Sequence, residues 1–137
     1  MFSNIMIPVD LGHAEKMTKA VKVAADMARL YGATVHLVGV GQTVPTAIAH
    51  TPAEYSRKLA AFADECSAAL GIAFNAHAEV SHDPAVDLDD VLLRTADKLD
   101  ADLIVMASHV PGFAEHFLSS NAGYLASHAK RSVLVVR

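Results

Sequence analysis

Asp10 stands at the end of the apolar run Asn4 to Val9 and just before Leu11-Gly12. A carboxylate at the lip of a sheet is an acceptor for a ribose hydroxyl or an adenine amine. An aspartate in a strand-to-helix turn serves equally well as a cap. The second candidate region is Ala107-Ser108-His109-Val110-Pro111-Gly112, followed by Ser119-Ser120-Asn121-Ala122. Small residues and free amides at a helix start hold an anion, because the unpaired N–H groups and the helix dipole both favour negative charge. Ser120 and Asn121 add side-chain donors, although the same residue types also serve as plain helix caps.

The eight histidines do not make a metal site of known form. His109 and His116 are seven residues apart and have only Glu115 beside them as a further ligand. His36 and His77 fall in strand-like segments and His128 in a helical one, where a satisfied or surface imidazole is the ordinary outcome. Cys66 is the single cysteine, so no internal disulfide forms. Its helical neighbours Ala63, Ala69 and Leu70 make it a packed thiol. No Ser-His-Asp set, paired carboxylates or GxGxxG stretch is present to support catalysis.

The elements that position these residues are legible from hydrophobic spacing. Asn4 to Val9 reads as a strand buried on both faces. A helix follows from about Ala14 to Tyr31, with Met17, Val21, Ala24, Ala28 and Tyr31 on one stripe and Gly32 at its end. Thr34 to Val40 is a second strand, broken by Gly41, Gln42 and Pro45. Thr51-Pro52-Ala53-Glu54 opens a second helix through a capping box and a proline at its first position, and Gly71 closes it. Phe74 to Val80 is a third strand, and His82-Asp83-Pro84 turns into a helix carrying Leu88, Val91, Leu92, Ala96 and Leu99. Asp102 to Met106 and Ser132 to Val136 are the last strands, joined by a helix from about Ser120 to Lys130. Helices alternating with strands require crossovers, hence an α/β fold with a doubly wound parallel sheet and helices on both faces. In such sheets ligands bind beyond the carboxyl ends of the strands, where Asp10 and Ala107 fall.

The 137 residues suit one domain over 1–137. Apolar residues make up 53% and charged residues 19%, enough burial to offset ordering entropy. A net charge of -4 without a basic stripe argues against nucleic acid and membrane surfaces as partners. The apolar runs are far shorter than the ~20 residues of a spanning helix. Met1 to Val9 has no basic region or cleavage site of a signal peptide, so a cytoplasmic location is expected.

Two regions together resemble the universal stress protein family. The tail carries Ala107-Ser108-His109, Ser119-Ser120-Asn121-Ala122 and Ser127-His128-Ala129-Lys130-Arg131-Ser132-Val133-Leu134-Val135-Val136-Arg137, and the opening carries Ile5-Met6-Ile7-Pro8-Val9-Asp10. The likeness is greatest to a small bacterial branch with Ser-x-x-Pro in the loop and Gly-Ser-Asn-Ala at the last helix. It implies a Rossmann-like sheet in the order 3-2-1-4-5. It also implies that Asp10, with Pro8 and Val9 beside it, and Val40 at the end of strand two meet the adenosine of ATP, ADP or AMP. Ala107, Ser108, His109, Val110, Ser119, Ser120, Asn121 and Ala122 would line the phosphate path. The family's phosphate loop is Gly-x2-Gly-x9-Gly-Ser/Thr; here Ala107, Val110 and Ser119 replace its three glycines and the loop is one residue shorter. A β-branched residue at Val110 resists positive φ and crowds a phosphate, so binding is expected to be weaker than with the full motif, or absent, with AMP or ADP easier to house than ATP.

Three functions are therefore weighed. The first is an adenine-nucleotide-binding stress-response or signalling protein. The second is a ligand-free dimeric interaction module whose altered glycines mark a closed site. The third is a slow ATP hydrolase with His109 as its only base candidate, ranked last because no acidic pair for a metal accompanies the loop. No enzyme activity and no structural metal are expected. A homodimer through Ser132 to Val136 is expected in each case, since family members often pair there and an exposed apolar edge strand is usually covered.

Overall fold

A computed structural model describes residues 1–108 and 119–137, with backbone alone for residues 119–122. The chain runs β1 (Asn4–Val9), α1 (Thr18–Tyr31), β2 (Thr34–Gln42), α2 (Pro52–Leu70), β3 (Phe74–Ser81), α3 (Pro84–Lys98), β4 (Leu103–Ala107), α4 (Ser119–His128) and β5 (Ser132–Val136). All four strand pairings are parallel and the order is β3-β2-β1-β4-β5, as the resemblance implies. One sheet face sends Ile5, Ile7, Val9, Val35 and Leu37 against α1 and α2, chiefly Val21, Ala24, Leu59 and Ala63. The other sends Met6, Val38, Ile104 and Met106 against Leu88, Leu92 and Ala96 of α3 and Leu125 of α4. Burial on both faces is why these strands read as unbroken apolar runs.

The element boundaries differ from the expected ones in ways that matter for the site. The helix expected from Ala14 begins only at Thr18, because Leu11–Met17 is a 3-10 segment interrupted at His13 (φ -135°). Strand two does not stop at Val40: Gly41 and Gln42 pair with Val80 and Ser81, extending both β2 and β3. Strand four begins at Leu103 rather than Asp102, whose side chain instead accepts from the amides of Ser3 and Asn4. The last helix ends at His128, short of Lys130, since Ser132 must already pair with Leu103. Arg131 fixes that turn by donating to the Ala101 carbonyl at 2.9 Å. Gly32 and Gly71 close α1 and α2 with φ of 67° and 71°, the left-handed cap that glycine adopts without strain.

Candidate binding pocket at the carboxyl end of the sheet

Asp10 leaves β1 in extended geometry and caps the 3-10 segment. Its Oδ1 accepts from the Gly12 amide at 3.0 Å and its Oδ2 pairs with His13 Nδ1 at 2.9 Å. The cap does not exhaust the group: a carboxylate has about four lone-pair sites, and these contacts use two of them. The non-helical backbone at His13 is what turns its ring back onto Asp10.

Beside Asp10 opens a pocket of about 390 Å³, lined by Leu11, Gly12, His13, Val40, Gly41, Gln42, Thr46, Ile48, Ala49 and Tyr55. This lies in the size range of small-ligand sites. Its outer wall is the segment after β2, held by its own bonds. Thr46 N donates to the Ala49 carbonyl at 2.8 Å, and Thr46 Oγ1 accepts from the amides of Ile48 and Ala49 at 3.2 Å. Lys58 Nζ donates to the Ile48 carbonyl and pins the segment to α2. That segment, whose path the sequence left open, therefore walls the pocket.

The start of α2 supplies the inner wall. Thr51 Oγ1 accepts from the Glu54 amide at 3.1 Å, as expected of a cap. Glu54 does not complete the box at Thr51; its carboxylate reaches one residue further back, to the His50 amide at 2.9 Å, which holds it below the usual carboxylate range. One residue on, Tyr55 lies over β2 where Gly39 and Gly41 leave room. A Cβ on Gly39 would stand 2.4 Å from the Tyr55 hydroxyl oxygen, and one on Gly41 would stand 2.8 Å from the ring carbon Cγ. Gly41, expected to break the strand, is like Gly39 a strand residue that leaves room for an aromatic ring. Burial, and then the Asp10 carboxylate, push the Tyr55 phenol well above its ordinary value, so it stays protonated.

Asp10 and Val40 both line this pocket. Val40 packs its side chain into the core against α3, so the strand edge is what it offers the pocket. Pro8 and Val9 do not line it; both are buried in β1, and Val9 belongs to the core. Ala107 ends β4, the neighbour of β1, and Ser108 follows it directly. Ala107 is buried, and the Ser108 amide already donates to the Val136 carbonyl at 2.8 Å. Ser119, Ser120, Asn121 and Ala122 form the first turn of α4, whose side chains are not described. His109, Val110 and His116 lie outside the described residues. Sequence reasoning missed Gly12, His13, Thr46, Ile48 and Tyr55; the alternation Gly39-x-Gly41 ahead of a helix bearing Tyr55 was the available signal.

Among the described residues no group of three or more His, Cys, Asp or Glu could hold a metal ion, and no helix is long and apolar enough to cross a membrane. Cys66 is half-buried on α2, with its thiol pushed up by burial and by Glu65. His36 and His77 pair with each other at 2.9 Å, away from the pocket.

The chain matches the family model described as "Universal stress protein family" over residues 1–137. It is 28% identical over 143 residues to universal stress protein G of Salmonella typhimurium, covering all of both chains. Among solved structures, the universal stress protein from Archaeoglobus fulgidus in complex with dAMP superposes with a TM-score of 0.70 at 21% identity, covering 98% of each chain. A universal stress protein in complex with cAMP gives 0.68 at 21% identity, covering 99% of this chain and 97% of that one. The fold of those structures recurs here, and the match along the whole length shows that this chain belongs to the universal stress protein family.

Proposed function

We propose that this protein binds an adenine nucleotide beyond the carboxyl end of its sheet and acts as a stress-response or signalling protein through that ligand. The carrying observation is the pocket itself: about 390 Å³ beside a carboxylate that is fixed in place yet has acceptor capacity to spare. The dAMP and cAMP bound by the two solved relatives support an adenosine as the occupant. Phosphates would run towards β4 and the first turn of α4. With Ala107, Val110 and Ser119 in place of glycines and the Ser108 amide already paired, a monophosphate suits that path better than a triphosphate.

We read the protein as a binder rather than a catalyst: among the lining residues Asp10 is the sole carboxylate, and its two oxygens hold Gly12 and His13. A second copy would cover β5, which ends the sheet and leaves Val135 39% exposed. The test is the thermal midpoint with and without millimolar AMP, ADP and ATP. A ligand at ~100 times its dissociation constant adds about 2.7 kcal/mol, a rise of several degrees. That rise is expected to be largest with AMP and to vanish in Asp10→Ala. No rise with any nucleotide would favour the ligand-free dimeric module instead.

A further inference from the structure

Asp10 is bonded at both carboxylate oxygens, and the two bonds differ in kind. The Gly12 amide on Oδ1 at 3.0 Å is the ordinary cap of a turn that follows a strand. The His13 contact depends on a break in the backbone. His13 takes φ -135° and ψ 41° inside a 3-10 segment, and its ring Nδ1 meets Asp10 Oδ2 at 2.9 Å. A carboxylate accepts in this contact, so Nδ1 carries the proton and donates. Both residues line the pocket, with side chains 19% exposed for Asp10 and 29% for His13. A pair so accessible to water adds little to folding stability. What it does fix is the plane of the carboxylate. With one oxygen bonded the group still swings about that bond; with both bonded it does not, and its remaining lone pairs keep set directions.

Resting on the nucleotide reading above, we propose that His13 is a positioning residue of the site: by donating to Asp10 Oδ2 it holds the carboxylate ready to accept from a hydroxyl or amine of the ligand. The ordering of that side chain is then complete before the ligand arrives, and a cost otherwise met on binding is removed.

The experiment separates the donor from the bulk of the ring. His13→Leu keeps apolar bulk and loses the donor; His13→Asn loses the ring and keeps an N–H near the place of Nδ1. Each is compared with wild type by calorimetric titration with AMP and by thermal midpoint without ligand. AMP affinity is expected to fall roughly fivefold in His13→Leu, the order of effect for a side chain that must be immobilised on binding. His13→Asn is expected to recover most of that loss. Unliganded midpoints are expected to stay within about 2 °C of wild type, since the pair is partly exposed. Wild-type affinity in His13→Leu would overturn the role while leaving the nucleotide reading intact. Equal losses in both variants would also overturn it, by showing that the ring itself is what the ligand needs. A midpoint that falls by several degrees in His13→Leu would make the contact one that serves the fold. If wild type fails to bind AMP, the nucleotide reading fails and takes this inference with it.

Discussion

Asp10 and Asp102 are the same residue type at opposite ends of two neighbouring strands, and they do different work. Asp102, just before β4, accepts from the amides of Ser3 and Asn4 at 2.8 and 3.0 Å and so ties the chain's start to the sheet. Partial burial opposes its charge, yet those amides, its own amide and the amino terminus hold its carboxyl below the usual range. From there polar contacts continue sideways: Asn4 Oδ1 meets His36 Nε2 at 3.3 Å, and His36 Nδ1 meets His77 Nε2 at 2.9 Å. At the carboxyl end, Asp10 is held by one amide and one imidazole and faces a pocket that Tyr55 also lines. Polar groups at the amino end are satisfied by the protein, whereas those at the carboxyl end are fixed but left with capacity for something else. That difference is what supports the proposal of a ligand at the carboxyl end of the sheet rather than the amino end.

The largest effect should come from removing the space that lets Tyr55 reach the pocket. In Gly41→Ala the new methyl would lie 2.8 Å from Tyr55 Cγ and 2.9 Å from Cδ1, at the root of the side chain, where a rotamer change cannot relieve it. Overpacking of this kind costs about 1–3 kcal/mol. Urea unfolding should show a midpoint lowered accordingly with an unchanged slope, and AMP binding should weaken as the ring is displaced. An unaltered midpoint would mean that Tyr55 is not held against β2.

A smaller effect at the other end would sharpen the contrast. Asp102→Ala removes two charge-assisted bonds to backbone amides and should cost on the order of 1 kcal/mol, a fall of about 3–5 °C in the unliganded midpoint. Its AMP affinity should equal that of wild type. A change in affinity would show that the two ends are coupled through β1.

The features that sequence alone could supply are those set by periodicity. The central strands β1, β2 and β4, the helical stripes and the Thr51-Pro52 start all emerged, because burial on both sheet faces leaves its mark on nearly every residue of those strands. Strand order came from the resemblance and not from spacing, which carries no information about which strands neighbour each other. The boundaries failed where one side chain overrides propensity: Asp102 leaves its strand to cap two amides, and His13 breaks a helix to bind Asp10. Of the pocket, only Asp10 and Val40 were legible. Thr46, Ile48 and Tyr55 are distant in sequence from Asp10, and only the fold brings them to it.

The smallest effect tests whether the amino-end network is satisfied as a neutral one. If His36 Nε2 donates to Asn4, its Nδ1 must accept from His77 Nε2, and a second proton on the pair breaks that bond. Burial, and then His77, lower the His36 value; burial, and then Lys98, lower that of His77, against the opposing pull of Glu79. Both imidazoles therefore titrate below 6.5 in the folded chain and at their ordinary value when unfolded. The unfolded state then binds more protons, so the contribution is complete above pH ~6.5 and is lost as pH falls through that value towards the folded ones. Both rings are partly exposed, so the loss is modest, about 2 °C in midpoint between pH 7.5 and 5.5. His77→Gln keeps a donor for His36 Nδ1 without a second titrating ring, and its midpoint should fall less over the same interval. An equal fall in both proteins would place the acid sensitivity elsewhere and leave the pair a bystander.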